Sequence, residues 1–305
     1  MPLRVLWATG RDYKIDWEIS WIRELLDKAN ISYTIENVTA MNHIVPNALI
    51  VVNHNIPYVA YLYQYEQYGL PFGLIHLSDE YMKDDLRPYD FKMCQFVFRN
   101  YYYEILENHP KVKHFALGYK YEFWNNYSQA SPLDKTHSQR KYAWSFAGGM
   151  RDNRKNAITL FKDTIEPNHV VIEQGNSFND RQTGLDTIEY RNLMLNSKFV
   201  LAPIGNMSID SFRLYEALEC GAIPITIKNN TTHISYPSYW HKLFNEEPPF
   251  IMEDTWEENI NRIKELLAND ELYEQKRLEC IHFWNRYKEK LTQNLSIAIQ
   301  MLKYE

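Results

Sequence analysis

Two kinds of apolar run alternate along the chain. Short, nearly continuous runs of strand length occur at 3–8 (LRVLWA), 31–36, 48–53 (ALIVVN), 72–77 (FGLIHL), 93–100 (MCQFVFRN) and near 113–117. Between them, apolar positions recur at helical spacing: Trp17, Trp21, Leu25 and Ala29 within 16–29, and a second helix over 57–68. The stretch 126–140 (NYSQASPLDKTHSQR) is polar, carries Pro132 and breaks the pattern. The alternation then restarts, with strands at 142–147 (YAWSFA), 169–174, 198–203 (KFVLAP) and 222–227 (AIPITI). Helices are expected over 153–164, 186–196 and 209–220, and from Asp254 to the end apart from a break at Asn269-Asp270.

Strands alternating with helices predict parallel sheets. The expected fold class is α/β, with two Rossmann-like lobes facing across a cleft and C-terminal helices packing back toward the N-terminal lobe. The expected boundaries are an N-terminal Rossmann-like lobe over 1–125, a linker over 126–140, a C-terminal Rossmann-like lobe over 141–270 and C-terminal helices over 271–305.

Composition narrows the function. Of 305 residues, 45% are hydrophobic and the net charge is −6, with no run of Lys or Arg. Disorder and nucleic-acid coating are excluded, while one small anion in a local pocket is not. No stretch approaches the ~20 apolar residues of a membrane span. Cys94, Cys220 and Cys280 are too widely spaced for a disulfide framework or a zinc site, which favours a reducing compartment. Cys220 has no basic neighbour in sequence to activate it. The surplus of aromatics (23 Tyr, 14 Phe and 8 Trp) suits either a wet, partly apolar cleft or ordinary packing.

The densest chemistry lies between Tyr190 and Ile225. A strand ends at Pro203, a loop with Gly205 follows, and Ser208, Asp210 and Ser211 precede a helix as candidate caps. A helix N-terminus there would attract an anion. Arg213 in its first turn suits a diphosphate, and Glu216, three residues on, suits a ribose. An i,i+3 ion pair on an exposed helix is the other reading of the same spacing.

The run from Ser197 through FVLAPIGN, SFRLYEAL and CGAIPI resembles the C-terminal signature of exostosin-type glycosyltransferases. SFAGGMRDNR at 145–154 resembles the segment that opens the family's nucleotide-binding lobe. HLSDE at 76–80 is similar to the ribitol xylosyltransferase branch.

The resemblance implies a GT-B fold and inverting transfer from a nucleotide sugar, UDP-linked in most of the family and UDP-xylose in that branch, to a glycan or polyol-phosphate hydroxyl. It implies that Arg151 and Arg213 meet the diphosphate, with Arg154 in reserve, and that Glu216 meets the ribose. Gly148 and Gly149 would admit the donor, and Asn206, Ser208 and Ser211 would line its loop.

Inversion needs a base, and Asp79 and Glu80 stand at a strand end, with Asp79 slightly preferred. Ser78-Asp79-Glu80 also fits the cap of a short helix. His54 and Arg99, at other strand ends, would meet the acceptor, and the tyrosines at 101–103 would pack beneath. Asp84-Asp85 reads as a solvated turn, so no metal and no cofactor beyond the nucleotide-sugar co-substrate is expected. Exostosin-type enzymes are usually membrane-tethered, and the lack of a span here points to a cytoplasmic enzyme, peripheral at a membrane at most. The alternatives are a silent sugar-nucleotide or glycan-binding module, and a dinucleotide oxidoreductase. Against the oxidoreductase, the stretch after the first strand has only Gly10 in place of G-x-G-x-x-G.

Overall fold

The computed structural model describes residues 2–8, 17–38, 43–54, 56–125, 135–173, 184–228 and 238–302. The chain divides into two compact units. The first comprises Met1–Ala116 together with Tyr287–Glu305, and the second Leu117–Arg286. The sequence reading carried the first lobe to 125 and set 271–305 apart; of its linker, 126–134 lies outside the described residues.

In the first unit, β1 (Leu3–Ala8), β2 (Tyr33–Val38), β3 (Ala48–Asn53), β4 (Phe72–Leu77), β5 (Cys94–Arg99) and β6 (Val112–His114) form one sheet. Its order is β2-β1-β3-β4-β5-β6 and every pairing is parallel. All six residues of β3 and all six of β4 are buried, as expected of central parallel strands covered on both faces. Helix α1 (Ile19–Lys28) turns Trp21, Ile22, Leu25 and Leu26 inward, and the Trp21 Nε1 donates to the Ala116 carbonyl at 3.2 Å. Helix α2 (Val59–Tyr68) ends at Gly69, whose φ of 63° is the left-handed conformation that closes a helix.

In the second unit, β7 (Tyr142–Gly149), β8 (Asn168–Glu173), β9 (Ser197–Leu201), β10 (Ile223–Ile227) and β11 (Ile251–Glu253) pair in the order β11-β10-β9-β7-β8. These pairings are parallel as well. Between them run α3 (Asp152–Lys162), α4 (Thr187–Leu195), α5 (Phe212–Glu219) and α6 (Tyr239–Phe244), followed by α7 (Trp256–Leu267) and α8 (Asp270–Gln300). Capping boxes start α4 (Asp186 with Glu189) and α7 (Thr255 with Glu258), each satisfying two otherwise unpaired amides.

Three elements differ from the sequence reading. Strand β11 is three residues long and escapes a periodicity test. Helix α6, between the strand 222–227 and the C-terminal helices, is not predicted from the sequence; Tyr239 and Trp240 open it, the Tyr239 hydroxyl bonding Asp210 at 3.0 Å and the Trp240 Nε1 bonding the Ile227 carbonyl at 3.2 Å. Helix α5 begins at Phe212, three residues later than expected. Ser211 occupies its N-cap position without capping it, and the Ser208 hydroxyl instead accepts the Asp210 amide at 3.1 Å.

Candidate functional site

Open parallel sheets bind ligands beyond the carboxyl ends of their strands, where the strand order reverses. In the second unit that point lies between β7 and β9, because β8 and β9 flank β7 on opposite sides. The β7 end (Gly148, Gly149) and the loop after β9 meet there.

Arg213 donates from Nε and Nη2 to the Ala147 carbonyl, at 3.2 and 2.8 Å, and its guanidinium lies over the Phe146 ring at 4.6 Å. A Cβ on Gly148 would overlap the Arg213 Nη2, and Gly148 has φ +149°. The glycine therefore makes room for the arginine, where the sequence reading had it admit a ligand. Gly149 has no atom within 4 Å of where a Cβ would lie.

Arg154 is buried, donating to the carbonyls of Ile204 (2.9 Å), Gly149 (3.2 Å) and Gly205 (2.9 Å). It ties the post-β9 loop to the β7 end. Arg151 is exposed and bonds Asn206 of that loop. The loop closes on itself through the Gly205 amide and the Ser208 carbonyl at 2.8 Å.

Glu216 is fully buried. Its carboxylate accepts the Tyr190 hydroxyl at 2.8 Å and the Lys120 amide at 3.2 Å. Among the described residues it forms no ion pair with Arg213, so the exposed i,i+3 pair is not what the helix holds. Burial first, and then the Glu216 charge, raise the Tyr190 pKa well above its ordinary value, so this hydroxyl stays protonated and donates.

Ser197, which opens the family-like run, and Arg191, just before it, have packing roles. The Ser197 hydroxyl donates to the Leu193 carbonyl and is hydrogen-bonded with the Ser145 hydroxyl, both at 2.7 Å. Arg191 donates to the carbonyls of Phe123 and Asn125 at 2.6 and 3.0 Å. Burial raises the pKa of Cys220, which is inert here.

In the first unit the strand order reverses between β1 and β3. At that edge stand His54 after β3, Asp79 and Glu80 after β4, and Arg99 ending β5. His76 of β4 is in register with Arg99, so the two lie side by side. Asp79 is 2% exposed. Its Oδ2 accepts Arg99 Nη2 at 2.9 Å, and its Oδ1 accepts the Lys83 amide at 2.9 Å. The remaining Arg99 amino group, Nη1, donates to the Tyr89 hydroxyl at 2.9 Å. Glu80 is also buried, and its carbonyl accepts the Tyr103 hydroxyl. Tyr101, Tyr102 and Tyr103 are buried, with the Arg99 guanidinium 5.3 Å from the Tyr103 ring.

Asp84, read from sequence as half of a solvated turn, is a nearly buried carboxylate held between two histidines. Its Oδ1 is 2.9 Å from His54 Nδ1 and its Oδ2 is 2.9 Å from His76 Nε2. Sequence reasoning missed Asp84, His76, Tyr89 and Tyr190. The available signal was a pair of histidines at the carboxyl ends of adjacent strands, with an aspartate eight residues after the second. His54, Asp79 and Asp84 bring ligand-type atoms within 4.8 Å of one another, a span one cation could bridge. Each of those atoms already faces a hydrogen-bonding partner.

Solved structures share this architecture along nearly the whole chain. A protein of Anabaena, HepE, in complex with UDP matches with a TM-score of 0.55 at 11% identity, covering 99% of this chain and 100% of that one. The T4 phage protein BGT in complex with UDP and Mn²⁺ matches with a TM-score of 0.50 at 12% identity, covering 97% and 99%. An α1,3-fucosyltransferase matches with a TM-score of 0.50 at 13% identity, covering 96% and 91%. At these identities the likeness is one of fold, and the fold is that of the GT-B glycosyltransferases.

Sequence carries the assignment one step further. The family model for the RXYLT1 C-terminal domain matches residues 123–303, more than half of the chain, and the chain belongs to that family. No curated protein matches it in sequence. No described helix is long and apolar enough to cross a membrane.

Proposed function

We propose that this chain is an inverting glycosyltransferase. It takes a sugar from a nucleotide donor, UDP-linked and with UDP-xylose the first candidate, and transfers it to a hydroxyl of a glycan or polyol-phosphate acceptor. One observation carries the reading. Arg213 is fixed at the strand-order reversal of the second sheet, its Nε and Nη2 anchored on the Ala147 carbonyl. The third nitrogen, Nη1, makes no hydrogen bond among the described residues. A guanidinium held on one side by the backbone presents its other side to a diphosphate without having to reorganise.

In this reading the donor's leaving diphosphate gathers charge against Arg213, with Arg151 at the rim of the loop. The amide groups at the start of α5 add to that field. Glu216, oriented by Tyr190 and the Lys120 amide, has acceptor capacity left for ribose hydroxyls. Gly148 serves the donor indirectly, by seating Arg213. The charge is met by these fixed cations without a metal ion, and the acceptor hydroxyl is activated at the carboxyl edge of the first unit. The setting is cytoplasmic, supported by three buried, unpaired thiols.

A thermal-shift screen across UDP-, GDP- and CDP-sugars, followed by transfer assays in excess EDTA, tests the reading. Stabilisation by UDP-linked donors and turnover that survives EDTA are expected. Nucleotide binding without turnover would favour a silent binding module, and turnover lost in EDTA and restored by Mn²⁺ would contradict the metal-free chemistry.

A further inference from the structure

We propose that His54 is the general base that deprotonates the acceptor hydroxyl, its lone pair placed on Nε2 by a hydrogen-bond relay through Arg99, Tyr89, His76 and Asp84. The assignment rests on the transfer reading above and names the residue that activates the acceptor.

The direction of every bond in the relay follows from its first member. A guanidinium can only donate. Arg99 Nη1 donates to the Tyr89 oxygen at 2.9 Å and lies 3.3 Å from His76 Nδ1. The Tyr89 proton is then directed at His76 Nδ1, 2.6 Å away. By either contact His76 Nδ1 is an acceptor, so the ring carries its proton on Nε2 and gives it to Asp84 Oδ2 at 2.9 Å. Burial lowers the His76 pKa, chiefly by desolvation, which keeps this ring neutral with a single proton.

Asp84, as a carboxylate, only accepts. Its Oδ1 faces His54 Nδ1 at 2.9 Å, and Asp79 Oδ1 lies 3.3 Å from the same nitrogen. His54 therefore holds its proton on Nδ1, and Nε2 bears the lone pair. Nε2 makes no hydrogen bond among the described residues, and the side chain is 16% exposed. It stands at the end of β3, beside the reversal in strand order where a ligand belongs. Tyr81, 38% exposed, lies nearly parallel to the imidazole at 6.5 Å and offers a flat face to an acceptor sugar.

Among the described residues, the groups facing His54 are Asp79, Asp84 and Tyr81, with Lys83 4.9 Å from the Tyr81 ring centroid. Asp79 is already neutralised by Arg99. Asp84 lies 2.9 Å from both imidazoles, and it faces the imidazolium that forms during transfer. The step balances. The acceptor oxygen attacks the anomeric carbon, its proton passes to His54 Nε2, and the carbon–oxygen bond to the nucleotide breaks with its electron pair leaving on the diphosphate. The imidazolium later returns the proton to water. His54 is the catalytic residue, and Asp84 and His76 are positioning residues. Asp79 is held on both oxygens and supports the site as the partner of Arg99.

The test is His54→Asn, which keeps a donor toward Asp84 and removes the base, compared with Asp84→Asn and Glu80→Gln. With UDP-sugar donor, His54→Asn is expected to lower kcat/KM on the order of 10²-fold or more. UDP binding by calorimetry should stay within about threefold of the parent's for a change confined to acceptor activation. The acid limb of the parent's kcat/KM–pH profile should vanish in His54→Asn and shift in Asp84→Asn. Added imidazole should restore part of the rate to His54→Gly. ¹⁵N NMR of the parent should show the neutral form of His54 protonated on Nδ1, a readout that needs no turnover.

An active parent whose rate is indifferent to His54→Asn, or whose acid limb is abolished by Glu80→Gln instead, overturns the base assignment. So does a parent inactivated by EDTA and revived by Mn²⁺ or Zn²⁺ only while His54 is present, which would make the cluster a cation site. A parent that binds UDP and transfers nothing overturns the transfer reading itself. A neutral His54 protonated on Nε2 overturns the relay whether or not the parent is active.

Discussion

At the reversal point of the second sheet, arginines are anchored on backbone carbonyls: Arg213 on Ala147, and Arg154 on Gly149, Ile204 and Gly205. At the corresponding edge of the first sheet, charge is held by side chains: Arg99 by Asp79, and Asp84 by His54 and His76. The two edges have the same parallel-sheet origin and suit different chemistry. A guanidinium seated on a neutral carbonyl keeps its full positive charge for an incoming anion. A carboxylate between two imidazoles sets where protons reside, which suits the removal of one from a hydroxyl. On the proposed reading, cationic donor binding and proton handling fall to different sheets.

Breaking the first edge is expected to cost most. Arg99 and Asp79 are both 1% exposed in their side chains, and removing one member of such a pair leaves a buried charge without compensation. Arg99→Met should destabilise the first unit by about 3–5 kcal/mol in urea unfolding. A loss under 1 kcal/mol would mean that the pair is not buried in solution.

Next comes a pH effect on the same sheet. Burial lowers the His114 pKa from 6.5 to about 4. The unfolded chain takes up this proton below pH 6.5, and the folded chain does so only near 4. The stability tied to the neutral ring is therefore fully present above pH 6.5 and is lost as pH falls from there to about 4, amounting to about 3 kcal/mol. His114→Gln should flatten that part of the stability–pH curve, and an unchanged slope would contradict the assignment.

The second edge should respond more weakly in stability and more strongly in ligand binding. Gly148→Ala places a Cβ against the Arg213 Nη2 at a φ that L-residues rarely adopt. A loss of about 1–3 kcal/mol is expected, together with weaker UDP binding. Gly149→Ala enters open space and should stay within about 0.5 kcal/mol of the parent. Equal effects of the two substitutions would remove the argument that Gly148 seats Arg213.

Much of the fold was legible because buried parallel strands are continuous apolar runs. ALIVVN and FGLIHL form β3 and β4 at the expected residues. Strand β11 was not legible, since three residues carry no period. Among site residues, Arg213, Glu216 and Asn206 could be placed at the second sheet's edge from the family-like run, and Arg151 from the segment SFAGGMRDNR at 145–154. What they touch could not, because Tyr190 reaches Glu216 across 26 positions and Arg213 reaches Ala147 across 66. The Asp84 relay was hidden for a different physical reason. An aspartate in a polar stretch looks solvated until β3 and β4 are paired, which sets His54 and His76 on either side of it.

The central claim is that the second unit binds the nucleotide donor through Arg213. Isothermal titration of UDP into the parent and into Arg213→Ala tests it most directly. The parent should bind UDP, and the variant should bind at least tenfold more weakly while unfolding at a similar temperature. A parent that binds no nucleoside diphosphate, or a variant that binds UDP as tightly as the parent, would contradict it.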